Sequence, residues 1–206
     1  MSHQEPTVFI VDDDEALCDS LCEFLTSEGL SVKCFHSAEA FLSSYDPCQP
    51  GCLVLDVRMR GMSGLDLQAA LVRQGIQLPV IVVTGHGDIP MAVRATRAGA
   101  VEFLEKPVAE DVLLRHVRAA LEQDRQARAQ SDRLRCVTEN FARLTPRERQ
   151  VMRLIAAGLA NKQIAARLGI TEKTVEVHRR QVFSKMRVQG AVELASLIAQ
   201  AKLPLE

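Results

Sequence analysis

Aromatic residues are scarce in this chain of 206 residues, which has no tryptophan, one tyrosine and seven phenylalanines. We therefore expect its hydrophobic cores to be aliphatic. Apolar residues make up 47% of the chain, which is enough for two ordinary cores. The length also suits two modest domains better than one large domain.

Long apolar runs are missing as well. No stretch of the sequence approaches the roughly 20 residues that a membrane-spanning helix requires. The N-terminal segment MSHQEPTVFIV has no basic stretch followed by a long apolar one, so it differs from a secretory signal. We therefore expect a cytoplasmic protein that has no membrane partner.

The six cysteines form no C-x-x-C pair, and no histidine cluster lies near them at the spacing of a metal site. Cys18 and Cys22 lie one turn apart on a predicted helix, and Cys34 and Cys52 fall in predicted strands. Small buried thiols in a reducing compartment explain this pattern better than disulfides do.

Glycine-rich phosphate loops are also lacking. The segments Gly61-Met62-Ser63-Gly64 and Gly85-His86-Gly87 are typical of turns, and neither opens a G-x-G-x-x-G or Walker-type motif. We therefore exclude nucleotide binding. His86 stands alone in its loop, and a lone loop histidine is more often a bystander than a general base.

The formal net charge of −1 conceals an asymmetry between the two halves of the chain. Residues 1–122 carry 18 acidic and 9 basic side chains, a net charge of −9, whereas residues 123–206 carry 8 acidic and 16 basic ones, a net charge of +8. An acidic half suits a cation site, and a basic half suits a polyanion such as DNA.

Five short aliphatic runs predict buried strands near residues 7–11, 31–35, 52–55, 79–83 and 101–104. Helical patterns separate them, and five repeats of strand then helix specify a parallel sheet with right-handed crossovers. We predict an α/β fold with the flavodoxin-like strand order 2-1-3-4-5, in which the first and third strands are neighbours at the switch point.

Five polar side chains stand just past the ends of predicted strands. They are Asp12, Asp13, Asp56, Thr84 and Lys106. Open α/β sheets place their ligand crevice at this edge, so we expect the five to converge. Crowded carboxylates repel one another unless a hard cation lies among them, and Mg²⁺ suits carboxylates, water and a phosphoryl group. The sequence therefore predicts an Mg²⁺ (or Mn²⁺) site and a phosphoryl group on Asp56.

This constellation resembles the receiver domain of two-component response regulators across residues 5–122. The resemblance implies that Asp56 accepts the phosphoryl group from a sensor histidine kinase. It also implies that Asp13 and Asp56 bind Mg²⁺ together with the backbone carbonyl of Arg58, while Asp12 holds a metal-bound water. A carboxylate nucleophile with a metal and an ammonium group agrees with phosphoryl transfer.

Further roles follow from the same resemblance. Thr84 and Lys106 would bind the phosphoryl oxygens, and Phe103 would occupy the position of a rotating aromatic switch. Phe103 is equally well explained as a core residue. One departure stands out, because the family usually has Met-Pro-Gly where this chain has Met59-Arg60-Gly61. Losing the fixed φ of proline adds backbone freedom beside the Arg58 carbonyl.

No glycine or proline occurs between Val108 and Leu144, so residues 123–141 are predicted to form a charged helical linker. The capping sequence Thr145-Pro146-Arg147-Glu148 then opens a helix. Asn161 is a candidate cap for the next helix, and Thr171 for the one after it. Two short helices joined by a tight turn at Gly169 are typical of a helix-turn-helix.

Residues 142–203 are similar to the LuxR-type DNA-binding domain. On a helical wheel Val175, Val182 and Met186 point to one side and Val177 and Arg180 to the other. By resemblance, the outward residues read DNA bases and nearby cations contact phosphates. The predicted DNA contacts are Lys162, Lys173, Thr174, Glu176, Val177, Arg179, Arg180 and Lys185.

Together the two resemblances indicate the NarL/FixJ subfamily of response regulators, on its FixJ-like branch. They imply a transcriptional regulator, not an enzyme, that dimerises when phosphorylated and acts on promoter DNA and RNA polymerase. One alternative is a DNA-binding regulator that works without phosphorylation. A haloacid-dehalogenase-like phosphatase is disfavoured, because such enzymes need a second Asp where this chain has Arg58.

Overall fold

The computed structural model describes residues 5–85 and 89–204. The chain divides into two compact units, Met1–Arg128 and Ala129–Glu206, and each is considered separately. No helix within the described ranges is both long enough and apolar enough to cross a membrane.

The first unit contains a sheet of five parallel strands. These are β1 (Thr7–Val11), β2 (Ser31–Phe35), β3 (Gly51–Asp56), β4 (Val80–Thr84) and β5 (Glu102–Glu105). Their order is β2-β1-β3-β4-β5, as predicted. In register, Val11 lies beside Leu55, and Asp56 lies beside Val83. The polar residues that follow β1 and β3 therefore leave the sheet side by side.

Helices follow each strand. They are α1 (Glu15–Ser27), α2 (Ala38–Ser44), α3 (Gly64–Arg73), α4 (Ile89–Arg97) and α5 (Glu110–Ala142). Alternate residues of the strands face two separate cores. Phe9, Leu53 and Val82 belong to one core, whereas Ile10 and Val54 belong to the other, which α1 and α5 cover. This alternation is what a sheet buried on both faces requires.

The buried residues of the second core are not aromatic, as expected, but five of the chain's eight aromatic residues belong to the first core or pack against it. The rings of Phe9, Phe35, Phe41 and Tyr45 lie 5.0–5.7 Å apart, mostly edge to face. Such pairs contribute about 0.5–1.5 kcal/mol each beyond the area that they bury. The few aromatic side chains are therefore concentrated beneath one face of the sheet.

A buried ion pair links α5 to the start of β3, at the opposite end of the sheet from Asp12 and Asp56. Asp124 on α5 is 2% exposed, and its carboxylate accepts the N–H of Gly51 at 2.9 Å. The guanidinium of Arg128 lies 2.8 Å from Asp124 and donates to the carbonyls of Cys48 and Gln49. The unit consequently extends to Arg128, past the predicted boundary at residue 122.

The second unit consists of helices. After the end of α5 come α6 (Pro146–Ala156), α7 (Asn161–Leu168), α8 (Glu172–Met186) and α9 (Ala191–Ala201). Their core includes Val151, Ile164, Val175, Val182 and Leu194, all fully buried. The face of α8 that the helical wheel predicted to be buried is therefore the face that packs against this core. The helix-turn-helix comprises α7 and α8, joined at Gly169 with φ of +65°.

Two of the three predicted caps occur as expected. Thr145 and Glu148 form a reciprocal capping box at α6, and the Thr171 hydroxyl accepts the N–H of Thr174 at α8. Asn161 was the wrong cap for α7, because it is already the first helical residue. The N-cap is Ala160, whose N–H donates to Gln163 Oε1 at 2.9 Å. The start of α7 is thus capped by the side chain of Gln163, three residues after the N-cap, and not by Asn161.

The Asp124–Arg128 pair makes a testable contribution to stability. In the Asp124→Ala variant the Gly51 N–H and the Arg128 guanidinium lose their buried acceptor, so we expect the first unit to lose about 3 kcal/mol. Native-state amide hydrogen exchange in β3 measures this loss. The matched control is Asp132→Ala, which breaks an exposed pair with Arg135 and should cost less than about 1 kcal/mol. Equal effects of the two variants would contradict the anchoring role.

Candidate functional site

Two aspartates at the carboxyl edge of the sheet are buried although they carry charge. Asp12 is 5% exposed and Asp56 is 6% exposed, because each ends or directly follows a central strand. Asp13 is exposed. The N–H of Asp14 donates to Asp12 Oδ1 at 3.0 Å, which satisfies one of the buried oxygens.

Lys106 supplies the positive charge that these two carboxylates need. Its Nζ lies 2.6 Å from Asp12 Oδ2 and 2.8 Å from Asp56 Oδ1. The N–H of Lys106 donates to the Thr84 carbonyl at 2.9 Å, so the end of β4 holds the lysine in place. One ammonium group thus bridges residues from two neighbouring strand ends.

The pKa values of Asp56 and Lys106 move in the same direction. Burial raises the pKa of Asp56, and the nearby Lys106 ammonium only partly offsets it. Burial lowers the pKa of Lys106, but hydrogen bonds to Asp12 and Asp56 outweigh it, so that pKa is raised overall. The lysine therefore keeps its proton and remains a cation at neutral pH.

Thr84 ends β4 with an unsatisfied hydroxyl. Its side chain is fully buried, and Oγ1 has no hydrogen-bond partner among residues 5–85 and 89–204. A buried polar group without a partner costs about 1–3 kcal/mol. A phosphoryl oxygen on Asp56 would give this hydroxyl an acceptor. His86, two residues on, lies outside the described residues.

The turn after β3 brings α3 close to the phosphoacceptor candidate. A Cβ atom on Gly64 would lie 2.1 Å from the Asp56 carbonyl oxygen, so only glycine fits there. The N–H of Gly64 donates to the Val57 carbonyl at 3.0 Å. The sequence marked this glycine as a turn residue, but its close approach to Asp56 depends on packing that the local sequence does not reveal.

Phe103 is half-buried at β5 and packs against the core that contains Leu53 and Val82. This position is compatible with both roles that the sequence allowed, a core residue and a mobile switch. Its function as a switch stays a prediction.

The aspartates at this edge of the sheet provide the kind of ligand atom that a hard divalent cation binds. Asp12, Asp13 and Asp56 offer only oxygen atoms, which Mg²⁺ and Mn²⁺ prefer. In the described parts of the chain, however, no three acidic, histidine or cysteine side chains gather around one metal position. The ammonium of Lys106 instead lies between Asp12 and Asp56.

A second candidate surface lies on the outward side of α7 and α8. Lys162, Lys173, Glu176 and Arg180 are exposed, and so is 52% of Val177. Of these residues, Val177 and Arg180 occupy the face of α8 opposite the buried Val175, as predicted from the wheel. An exposed apolar side chain between charged ones suits contact with a base edge in a groove.

Two further predicted DNA contacts on α8 are held by neighbours. The guanidinium of Arg179 lies 5.3 Å from the ring centroid of Phe183, which restricts its direction. The Thr174 hydroxyl lies 2.8 Å from that of Thr171 at the helix cap. Both side chains are half-buried.

Lys185 serves a different purpose from the predicted phosphate contact. Its Nζ lies 2.8 and 2.7 Å from the two carboxylate oxygens of Glu148 and 3.4 Å from the Arg143 carbonyl. Glu148 is almost completely buried at the start of α6. An ammonium that neutralises a buried carboxylate is not free to bind phosphate, so the proposed DNA contacts omit Lys185.

Comparisons with known proteins agree with this division into two units. The model of the response regulator receiver domain matches residues 8–118. The model of bacterial regulatory proteins of the luxR family matches residues 142–198. The chain is therefore a two-component response regulator with a LuxR-type DNA-binding domain.

Individual response regulators are similar to this chain over nearly its whole length. The chain is 45% identical over 206 residues to the response regulator protein TodT of Pseudomonas putida, covering 100% of this chain and 91% of TodT. It is 46% identical over 194 residues to the transcriptional regulatory protein FixJ of Azorhizobium caulinodans, covering 92% and 90%. The solved structure of response regulator StyR matches with a TM-score of 0.85 and 46% identity, covering 95% of this chain and 99% of that one.

These similarities place the chain in the NarL/FixJ subfamily, as the sequence indicated. It is a transcriptional regulator of a two-component system, and its class implies a sensor kinase and promoter DNA as partners. Such a regulator is not a typical enzyme.

The Glu148–Lys185 pair predicts how stability depends on pH. Burial raises the pKa of Glu148, but hydrogen bonds from Lys185 and Thr145 outweigh it, so that pKa lies below its ordinary value of 4.5. A depressed pKa stabilises the fold above the unfolded value, and this contribution is lost as pH falls through the folded value. The destabilisation caused by Glu148→Gln should therefore be large at pH 7 and shrink below about pH 4.

Urea unfolding followed through the methyl NMR signals of Met152 and Met186 isolates the second core, in which both side chains are buried. Glu176→Gln removes an exposed carboxylate from the same unit and is the control. A Glu148→Gln effect that stays constant from pH 7 to pH 3 would show that the charge is unimportant.

Proposed function

We propose that Asp56 is phosphorylated by a sensor histidine kinase and that this modification promotes dimerisation and promoter binding. The observation that carries the proposal is a pair of groups at the strand ends beside Asp56. One is the Lys106 ammonium at 2.8 Å, and the other is the buried, unpartnered hydroxyl of Thr84. No described residue forms a hydrogen bond with that hydroxyl, whereas an acyl phosphate on Asp56 would give it an acceptor.

In the transfer step, a carboxylate oxygen of Asp56 forms a bond to phosphorus while the bond from phosphorus to the kinase imidazole breaks. The imidazole leaves with the electron pair and takes a proton from solvent. A bound Mg²⁺ or Mn²⁺ would neutralise charge on the equatorial oxygens of the transferring group. Asp13, Asp56 and the Arg58 carbonyl would hold this ion, with Asp12 acting through a water molecule.

Once Asp56 carries a phosphoryl group as an acyl phosphate, the charge and shape of its side chain change. The ammonium of Lys106 can then move from the carboxylates to a phosphoryl oxygen, while the Thr84 hydroxyl donates to another. The end of β4 would shift toward Asp56, and Phe103 on the adjacent β5 would change its packing. We propose that this rearrangement favours a homodimer.

A dimer explains how a small recognition helix achieves specificity, because two copies of α8 can bind two half-sites together. On each copy Arg180 can donate two hydrogen bonds to guanine, Glu176 can accept from cytosine, and Val177 can contact a thymine methyl. Lys162, Lys173, Thr174 and Arg179 would contact phosphates and fix the register. We further propose that the bound dimer contacts RNA polymerase.

The phosphorylation site can be tested by incubating the protein with acetyl phosphate and Mg²⁺. We expect one acid-labile phosphoryl group, and Asp56→Asn should abolish it because the amide is not a nucleophile. Asp66→Asn changes an exposed carboxylate near the same edge and should leave labelling intact. Lys106→Ala should retain some labelling but lose phosphorylation-dependent dimerisation, measured by light scattering.

Labelling that survives Asp56→Asn would overturn the assignment of the phosphoacceptor. Equal DNA affinity with and without a phosphoryl analogue would favour instead the regulator that works without phosphorylation.

DNA recognition makes a separate prediction. Arg180→Ala should cost about 1–3 kcal/mol on the cognate site and relax preference at one base pair, because its guanidinium reads a base edge. The comparison variant, Lys162→Ala, should weaken binding to all sequences alike and reduce the slope of affinity against salt by about one unit. Binding isotherms at several salt concentrations on cognate and substituted sites separate the two. If Arg180→Ala weakens every site equally, that residue contacts phosphate only.

A further inference from the structure

The backbone between β3 and α3 makes an unusual series of hydrogen bonds. Three alternate peptide N–H groups in residues 58–62 each donate to a different carboxylate. The bonds join Arg58 to Asp56, Arg60 to Asp13 and Met62 to Glu39. The bond from Arg60 reaches Asp13 Oδ2 at 3.2 Å, and that from Met62 reaches Glu39 Oε1 at 3.0 Å.

This segment is fixed without help from Asp13. On one side of Arg60, the Arg58 N–H is tied to Asp56, whose own carboxylate is buried and bound to Lys106. On the other side, the Met62 N–H is tied to Glu39 on α2. The Arg60 N–H is therefore a donor held in place from both directions.

Asp13, in contrast, is an exposed side chain. Within residues 5–85 and 89–204, the hydrogen bond from Arg60 is the one that fixes its carboxylate. Asp12 and Asp56 each have the Lys106 ammonium as well as a backbone N–H. Of the three carboxylates, Asp13 depends most on a single backbone donor for its orientation.

We infer that the peptide N–H of Arg60 is a positioning group that orients Asp13 toward a divalent cation at this edge of the sheet. The inference rests on the proposed function, in which Asp13 is a ligand. A carboxylate has about four lone-pair sites, so one hydrogen bond leaves room for the ion. Mg²⁺ demands near-octahedral geometry, and fixing a ligand in advance lowers the cost of meeting it.

The backbone N–H of Arg60, and not its guanidinium, orients Asp13. Two substitutions at Arg60 can therefore separate the effect of the N–H from that of the side chain. Arg60→Ala removes the side chain and keeps the N–H. Arg60→Pro removes the N–H, because proline is the one residue without it. Loss of an outer partner of a metal ligand typically weakens binding by about 10–100-fold. We therefore expect Arg60→Ala to bind Mg²⁺ within about threefold of wild type and Arg60→Pro to bind it at least about tenfold more weakly.

The experiment is isothermal titration of the full-length chain with Mg²⁺, and separately with Mn²⁺, in the absence of a phosphodonor. Circular dichroism in EDTA establishes that each variant is folded before titration. The inference is supported if Arg60→Ala keeps the wild-type affinity for Mg²⁺ and Arg60→Pro binds the ion more weakly. Equal or tighter binding by Arg60→Pro overturns it, because the N–H would then be irrelevant or would compete with the ion.

Amide hydrogen exchange at Arg60 provides a test that needs no proline variant. We expect the wild-type amide to be protected, to lose protection in Asp13→Ala, and to remain protected when Mg²⁺ is added. Loss of protection on addition of Mg²⁺ would mean that the ion displaces the hydrogen bond, which also overturns the inference. If Arg60→Pro does not fold, this measurement decides alone.

The two proposals fail in different ways. If the wild-type chain binds neither ion, the metal-dependent phosphorylation that we propose fails and the positioning role fails with it. If wild type binds Mg²⁺ and both Arg60 variants bind it equally well, only the positioning role fails, and phosphorylation of Asp56 is unaffected.

Discussion

The ion pairs of Lys106 with Asp12 and Asp56 are the interaction on which the carboxyl edge of the sheet depends. Two buried carboxylates at adjacent strand ends repel each other, and their proximity follows directly from the pairing of β1 with β3. An ammonium group from the end of β5 makes this arrangement stable, because charge neutralisation offsets part of the cost of burial. The same geometry leaves the Thr84 hydroxyl enclosed and unsatisfied. Stability and the proposed acceptance of a phosphoryl group therefore depend on one constraint.

Much of this architecture could be predicted from the sequence, because the relevant signals are local. Aliphatic runs define strands, and polar residues at their ends share one edge whenever the strands are parallel. The prediction was less successful where partners are distant in sequence. Asp124 belongs to a polar, charged stretch, yet it accepts a hydrogen bond from Gly51, 73 positions away. A residue whose partner is a backbone N–H on another element gives no periodic or compositional signal.

The DNA-binding unit shows a related limit of helical-wheel reasoning. The wheel correctly placed Val175 and Val182 inside and Val177 outside. Lys185 was expected by resemblance to contact phosphate, but neither the resemblance nor the wheel reveals the neighbours of a side chain. Glu148 was interpreted as half of a capping box, which it is, but its carboxylate also binds Lys185. A buried acid that serves two partners becomes visible only when α6 and α8 are packed together.

The distribution of aromatic residues has a practical optical consequence. The only tyrosine, Tyr45, lies within the aromatic cluster of the first unit, and its hydroxyl contacts the Gln49 carbonyl at 3.4 Å. Because the chain has no tryptophan, intrinsic fluorescence arises from that single ring. Its emission reports the packing of the first unit alone, because the second unit has neither tyrosine nor tryptophan. One tryptophan introduced into the second unit would therefore allow two colours to follow the two units independently in the native protein.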